Sequence, residues 1–479
     1  MIFIRLANTV QICLIHYLTI VTLCQHRIYR YRFIMKHQNK VILGGLMGNI
    51  VEAYDMSICY FLSAELSRNL LGDTKGKPTV MLSLIFIAYL AKPIGAFILG
   101  LLSDLYGRKN VLMGSILIMG ISTALIGVIP AYDRIGIMAA GCLLAFRIIQ
   151  SMAIGSEFLN SSSLLVESGD TSQRGFRGCW SSVGVKAGYL VACLVAELFH
   201  YYSKTNPDLN NLWRIPFLFA LLTTLIGFYI RAKMPESLAY IIYYANRKKP
   251  STRDIYKQSL DFVKKYPFMF YFAFFSVFLS VTTGFFFYLY IPLHAIQYAH
   301  IPRNLIMMSN ILSLLCVTVL IPLFGWLSDK HDRLKMLIFA SSGLLVMTYP
   351  FMHMINYGNA GYFILMQLII SIPCACYYSV STVLLTELFP LQIRCTALSI
   401  VYSISASLAA GLPPLLADYL ARTTHMPSSP CIIIMVLATT VLINVRFLAR
   451  RYRKGINNYQ IAQMDSENPV FTVQYQKPI

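Results

Sequence analysis

The chain has 479 residues, 57% of them hydrophobic and 13% charged, with a net charge of +20. A mean hydropathy of +0.61 excludes a soluble globular domain. Nucleic acid is excluded by where the basic residues lie: loops on one side of the apolar segments hold roughly 25 Lys and Arg and those on the other about seven, the asymmetry of a membrane-oriented chain.

Apolar segments of about 20 residues, each enough to cross a hydrocarbon core of ~30 Å, recur along the chain. Twelve are placed, centred near residues 54, 90, 120, 150, 188, 222, 282, 316, 345, 374, 407 and 440. They predict an all-α polytopic membrane protein with both ends of its helical core on the basic, cytoplasmic side. The eleven cysteines are scattered and form no C-x-x-C pair, so neither a metal site nor a disulfide framework is expected.

Residues 1–35 stand apart. Val10–Cys24 is apolar for only about 15 residues, short for a span. Arg27, Arg30 and Arg32 follow it, the reverse of the order in a signal peptide. The segment reads as an upstream extension with Met35 as the start of the core, the alternative being a poorly inserted extra helix.

The first span carries GNIVEAYDMSICYF over Gly48–Phe61. Glu52 and Asp55 are three apart and share a helix face. A carboxylate deep in a span costs ~2.5–3.5 kcal/mol on insertion scales. The pair therefore either carries protons or balances buried cations. Span two contains Lys92 in AKPIG, Ala91–Gly95, and ends in the loop GLLSDLYGRKNVL, Gly100–Leu112.

That loop has a counterpart, GWLSDKHDRLKML over Gly325–Leu337. In register, Gly100/Gly325, Leu102/Leu327, Ser103/Ser328, Asp104/Asp329, Arg108/Arg333 and Leu112/Leu337 are identical. Both copies join two apolar runs, so the chain is two related halves, 36–232 and 267–450. Asp332 stands where the first copy has Gly107, which puts the tight turn of the second copy in question.

Span four reads RIIQSMAIGSE from Arg147 to Glu157, with Gln150 between. Arg147 and Glu157 lie about 80° apart around a helix and can line one cavity at different depths. Glu167 precedes Arg174 by the same interval as Glu387 precedes Arg394. With Asp104/Arg108 and Asp329/Arg333, each half gains a four-charge cluster at its inner rim, read as a gate in preference to a solvated rim.

Lys186 lies near the middle of span five, and span six opens with WRIPF, Trp213–Phe217. A basic linker, 233–266, follows; between Arg231 and Tyr266 nine Lys or Arg face three acids, a composition suited to anionic lipid. Span seven has the aromatic run SVTTGFFFYLYIP, Ser280–Pro292, whose Tyr288 and Tyr290 suit a cation–π contact with an ammonium. Gln367, Tyr377, Tyr378, Tyr402, Ser403 and Ser405 supply neutral hydrogen-bonding walls. The tail, 451–479, is polar and lacks apolar heptads.

The doubled loop resembles the G-x-L-[AS]-D-x-x-G-R-K motif of the major facilitator superfamily. Gly48–Asp55, including Asn49, resembles the G-N-x-x-E-W-[YF]-D signature of its metabolite:proton symporter branch, with Ala53 in place of the tryptophan. Arg147–Glu157 and Trp213–Phe217 are similar to further branch motifs, and MPES at Met234–Ser237 to an element that follows the sixth helix. The branch includes proline/betaine, α-ketoglutarate, shikimate and citrate carriers. The resemblance implies twelve helices in two pseudo-symmetric six-helix bundles, alternating access and a bacterial inner-membrane location. Osmosensing proline/betaine relatives carry a C-terminal coiled coil, for which this tail has no pattern.

The expected function is proton-coupled uptake of a small polar metabolite, with protons as coupling ion, no cofactor, no metal and no enzymatic activity. Glu52, Asp55 and Glu157 balance Lys92, Arg147 and Lys186. Protonating one acid leaves positive charge for a substrate carboxylate at Arg147, and such reciprocity is coupling. Candidate binding residues are Arg147, Lys92, Lys186, Asn49, Gln150, Tyr288, Tyr290, Tyr377 and Tyr378. A zwitterion such as proline or betaine is favoured; a dicarboxylate anchored by Lys186 is the alternative, and a non-transporting receptor that keeps the fold is the alternative of another class. The expected working unit is a monomer in the bilayer.

Overall fold

The computed structural model describes residues 39–72, 77–155, 157–167, 171–205, 212–236, 241, 251–298, 301–389 and 394–453. Both readings of the extension 1–35, and that of the polar tail beyond 453, fall outside the described residues.

The chain is a series of long helices: α1 over 39–61, α2 Ser83–Tyr106, α3 Arg108–Val128, α4 Met138–Glu167, α5 Arg174–Thr205, α6 Ile215–Ala232, α7 Pro267–Ile296, α8 Arg303–Lys330, α9 Arg333–Met354, α10 Ala360–Leu388, α11 Arg394–Thr424 and α12 Cys431–Arg453. Eleven of them, α2 to α12, are long and apolar enough to cross a membrane. The remaining one, α1, is the helix that carries Asn49, Glu52 and Asp55. Leucines and valines such as Leu222, Val319, Val346 and Val436 point outward, as on a surface solvated by lipid.

The two halves repeat one packing scheme. The third helix of each half lies on the sixth, α3 on α6 and α9 on α12. The halves meet through two long crossings, α2 on α11 and α5 on α8. In the linker, Thr252–Lys265 forms an amphipathic helix whose Ser251 and Asp254 close a capping box: Asp254 accepts from the Ser251 amide at 3.0 Å and donates its own amide to the Ser251 hydroxyl at 3.3 Å.

The doubled loop shows how two sequences reach one turn. Gly107 sits at φ +98°, a region that favours glycine. The amides of Arg108 and Lys109 then open α3 without a local cap, and Glu236 of the linker accepts from both at 3.1 Å. In the second copy Asp332 takes φ −61° and caps α9 itself, accepting from Leu334 N at 2.8 Å. The lost glycine therefore costs the second turn nothing, because the aspartate replaces both the turn residue and the cap.

α7 changes pitch at Phe286–Tyr290, a single π turn that ends two residues before Pro292. Pro292 has no N–H, so the carbonyl four residues earlier, at Tyr288, loses its helical donor. Asn310 of α8 donates to that carbonyl at 3.1 Å, and Gln367 of α10 donates to the Phe287 carbonyl at 3.5 Å. The two amides also bond each other at 3.3 Å, and Ser309 donates to Gln367 at 2.6 Å. Gln367 is thus a brace for α7.

Candidate functional site

A cavity lies between the halves at mid-height, leaving about 80 Å³ for the centres of water-sized molecules. Its wall includes Glu52 and Met56 of α1, Tyr89 and Lys92 of α2, Phe158 of α4, Lys186 and Tyr189 of α5, Phe285 of α7, Tyr378 of α10 and Tyr402 of α11. Three wall residues carry charge: Glu52, Lys92 and Lys186. Glu52 is the acid that acts on Lys92, whose Nζ lies 5.1 Å from the Tyr402 ring centre. Glu52 Oε2 is buried with no hydrogen-bond donor among the described residues.

Lys186 reaches into a group of tyrosines. Its Nζ stands 3.7 Å from the ring centre of Tyr378, 5.1 Å from that of Tyr189 and 5.3 Å from that of Tyr288. The Tyr378 hydroxyl donates to Thr283 at 3.1 Å, which fixes that ring against α7. The four candidate binding tyrosines, of which Tyr288 and Tyr290 were expected to receive an ammonium, thus divide. Tyr288 and Tyr378 surround one, supplied by the protein. Tyr377 turns its hydroxyl to the Ser276 carbonyl at 3.0 Å, and Tyr290 pairs with His294 at 3.0 Å.

The other buried charges of the first half lie off the cavity wall. Glu157 forms an ion pair with Arg231 of α6 and accepts from Ser115 at 2.5 Å. Arg231 is fully buried and also donates to the Leu112 carbonyl at 2.7 Å. A Cβ on Gly48 would run into its guanidinium, which is why the first span has glycine there. The charge balance expected from three acids and three cations therefore omits a cation, Arg231, and Glu157 is already neutralised by it.

Asp55 is fully buried, and neither carboxylate oxygen meets a donor at hydrogen-bond geometry among the described residues. Arg147 is its nearest cation and Thr123 its polar neighbour. Arg147 donates to Gln150 at 2.6 Å, and Gln150 donates to Thr123 at 2.6 Å. Arg147 and Gln150 thus face the interior of the first bundle, and Asn49 does the same through Ser161 at 3.1 Å. Angular spacing places Arg147 on one helix but not the neighbour it faces.

At the rim that carries the doubled loop, all eight gate residues are engaged. Asp104 accepts from the Thr396 amide at 2.9 Å and its hydroxyl at 2.6 Å. Asp329 accepts from the amides of Gly175 and Phe176 at 2.7 and 2.8 Å. Each aspartate thus caps the N-terminus of a helix in the opposite half, α11 or α5, where the helix dipole favours negative charge. Glu167 pairs with Arg108 of its own half at 3.2 Å and with Arg394 of the other at 3.0 Å. Glu387 repeats the arrangement with Arg333 and, at 3.9 Å, Arg174.

Contacts between the halves on the side of the cavity away from the doubled loop had no signal in residue spacing. Phe285 is ringed by Tyr60 at 5.3 Å, Tyr89 at 6.0 Å and Tyr189 at 6.5 Å, so one ring of the second half plugs into three of the first. Ser407 donates to the Tyr89 carbonyl at 2.7 Å, and Arg303 pairs with Glu197 at 3.1 Å. Contacts between the halves thus lie on both sides of the cavity. Among the described residues no group of three or more His, Cys, Asp or Glu could hold a metal ion.

Residues 43–451 match the family model described as sugar (and other) transporter. The chain is 29% identical over 428 residues to the proline/betaine transporter of Escherichia coli K12, covering 87% of this chain and 85% of that protein. It is 28% identical to the glycine betaine/proline/ectoine/pipecolic acid transporter OusA of Dickeya dadantii, covering 89% and 86%. Among solved structures, the fold is similar to that of the proton:xylose symporter XylE, with a TM-score of 0.68 at 16% identity over 87% of this chain and 96% of that one.

Proposed function

Because this chain belongs to the sugar (and other) transporter family of the major facilitator superfamily, and is a transporter and not an enzyme, we propose that it performs proton-coupled uptake of a small carboxylate-bearing zwitterion. The observation that carries this reading is the cavity between the halves whose wall holds Lys92, Lys186 and Glu52. The lysines receive the substrate carboxylate by charge-assisted hydrogen bonds and Glu52 the ammonium. The names of the Escherichia coli and Dickeya dadantii relatives support proline or betaine as the type of solute.

Asp55 is the proposed proton carrier, a buried carboxylate with no hydrogen-bond partner among the described residues, one helical turn from Glu52 of the cavity wall. Alternating access follows from the two rims: each is held by contacts between the halves, and opening one while the other stays shut moves the cavity from side to side. The doubled-loop rim is assigned to the cytoplasm by the basic loops around it, and the membrane to the bacterial inner membrane. The working unit is taken as a monomer because the cavity lies within one chain. A second reading, symport of a mono- or dicarboxylate, is favoured by the two cations against one acid on the wall. The paired gate charges speak against a receptor that no longer moves.

The test is uptake by vesicles containing the purified chain, with an imposed pH difference and labelled proline, betaine, α-ketoglutarate and shikimate. Accumulation above the external concentration that collapses with a protonophore is expected. Equilibration alone sinks the proton coupling, and no uptake of any solute sinks the substrate assignment.

A further inference from the structure

A quaternary ammonium has no N–H and is held by aromatic faces, whereas a primary or secondary ammonium also donates to carboxylates. The aromatic site of this cavity is occupied by a side chain. Lys186 Nζ lies within 3.7–5.3 Å of the ring centres of Tyr378, Tyr189 and Tyr288. Tyr189 shares α5 with the lysine, while Tyr288 and Tyr378 come from the other half, so the ammonium bridges the two bundles.

The seat is built to hold it. Gly284 of α7 leaves the space: a Cβ there would stand 2.9 Å from Nζ. The Asn310 amide fixes the backbone at Tyr288, and the Tyr378 hydroxyl is tied to Thr283. Lys186 is 4% exposed, and no carboxylate among the described residues is paired with it. The tyrosine faces are thus its compensation for burial. Moving it out would strand a buried charge, and adding a second cation beside it meets like-charge repulsion.

We propose that Lys186 is a specificity-determining residue, a tethered ammonium that fills the tyrosine cage and sets the cavity against quaternary-ammonium solutes while it accepts carboxylates whose ammonium keeps an N–H. Glu52 receives the N–H donors; a fully methylated nitrogen has neither that partner nor the cage. This rests on the reading of the central cavity as the substrate site, and it narrows the solute class to proline-like over betaine-like molecules.

The experiment uses the purified full chain and two graded series: glycine, sarcosine, dimethylglycine and glycine betaine, and proline, N-methylproline and N,N-dimethylproline. Binding is read as thermal stabilisation and as competition with labelled proline in vesicles. In the wild type the last methylation, which removes the final N–H, should weaken binding at least tenfold. Lys186→Met opens the cage while Glu52 still favours an N–H, so it should shrink that step severalfold by raising the betaine-to-dimethylglycine ratio, while Lys186→Arg should keep it. A wild type that binds betaine as well as dimethylglycine overturns the proposal. So does Lys186→Met with the step unchanged. Should that variant not fold, the wild-type step decides alone. Absence of binding across both series overturns the substrate-site reading and this proposal with it, an outcome distinct from binding without discrimination.

Discussion

The Asp104 carboxylate of α2 holds Thr396 of α11 through both its amide, at 2.9 Å, and its hydroxyl, at 2.6 Å, and so ties the first half to a helix N-terminus of the second. Asp329 does the same in the other direction. An amide can still accept one of these bonds but loses the charge that favours the helix end, worth up to about 2 kcal/mol in a partly buried setting. Asp104→Asn should therefore shift the population toward opening at this rim by roughly tenfold. A cysteine placed in the cavity should react faster with an impermeant reagent added on the doubled-loop side. Unchanged reactivity would mean that the contact does not hold the gate.

The ion pair of Glu157 and Arg231 makes a separate prediction about stability. Removing one member leaves the other buried without its partner, a loss of about 3–5 kcal/mol. Glu157→Gln should lower the thermal transition of the purified chain sharply. The double variant with Arg231→Met should lose less than the sum of the two single changes. Additive losses would show that the two residues do not support each other.

Motifs that act within one segment were legible in the sequence. The doubled loop, the four-charge clusters and the polar α1 follow from spacing and repetition, and the structure brings Glu52, Lys92 and Lys186 to one cavity. Partners that come from another helix were not legible. Arg231 and Glu157 lie on α6 and α4, and nothing in either helix names the other. For Arg147, angular spacing gives direction relative to Glu157 but not relative to the neighbouring helix. Glu236 caps α3 from the linker for the same reason unseen. Pro292 does carry such a signal: it implies an orphan carbonyl at Tyr288, which calls for a donor on a neighbouring helix, and Asn310 is that donor.

This donor can be tested through the proline. Asn310→Ala leaves the Tyr288 carbonyl unpaired, at about 1–3 kcal/mol for a buried group, and frees one wall of the tyrosine cage. Pro292→Ala restores the helical N–H. The Asn310 substitution should thus destabilise the wild type more than it destabilises the Pro292→Ala background, measured by thermal unfolding. Equal losses in both backgrounds would mean that Asn310 acts through Gln367 alone.

The question of proton coupling turns on α1. Glu52 faces the cavity beside Lys92, whereas Asp55 is fully buried and has Arg147 as its nearest cation. Arg147 spends Nη1 on Gln150 and leaves Nη2 without a hydrogen-bond partner, and neither Asp55 oxygen meets a donor at hydrogen-bond geometry among the described residues. Glu157, the third candidate, is matched by Arg231 and has no charge left to trade. An amide in place of the Asp55 carboxylate mimics the protonated form permanently. Asp55→Asn should bind substrate and exchange it across a vesicle membrane at rates near those of the wild type. It should fail to accumulate substrate when a pH difference is imposed. Glu52→Gln should behave differently if Glu52 serves the substrate: it should weaken binding of N–H-bearing zwitterions roughly tenfold, the loss of one charged hydrogen bond, and keep its response to the proton gradient. If Glu52→Gln uncouples transport and Asp55→Asn does not, the roles are exchanged. If both single variants and the double variant still concentrate substrate in response to a pH gradient, the proton does not travel through α1, and the two carboxylates serve as counter-ions to Lys92 and Arg147.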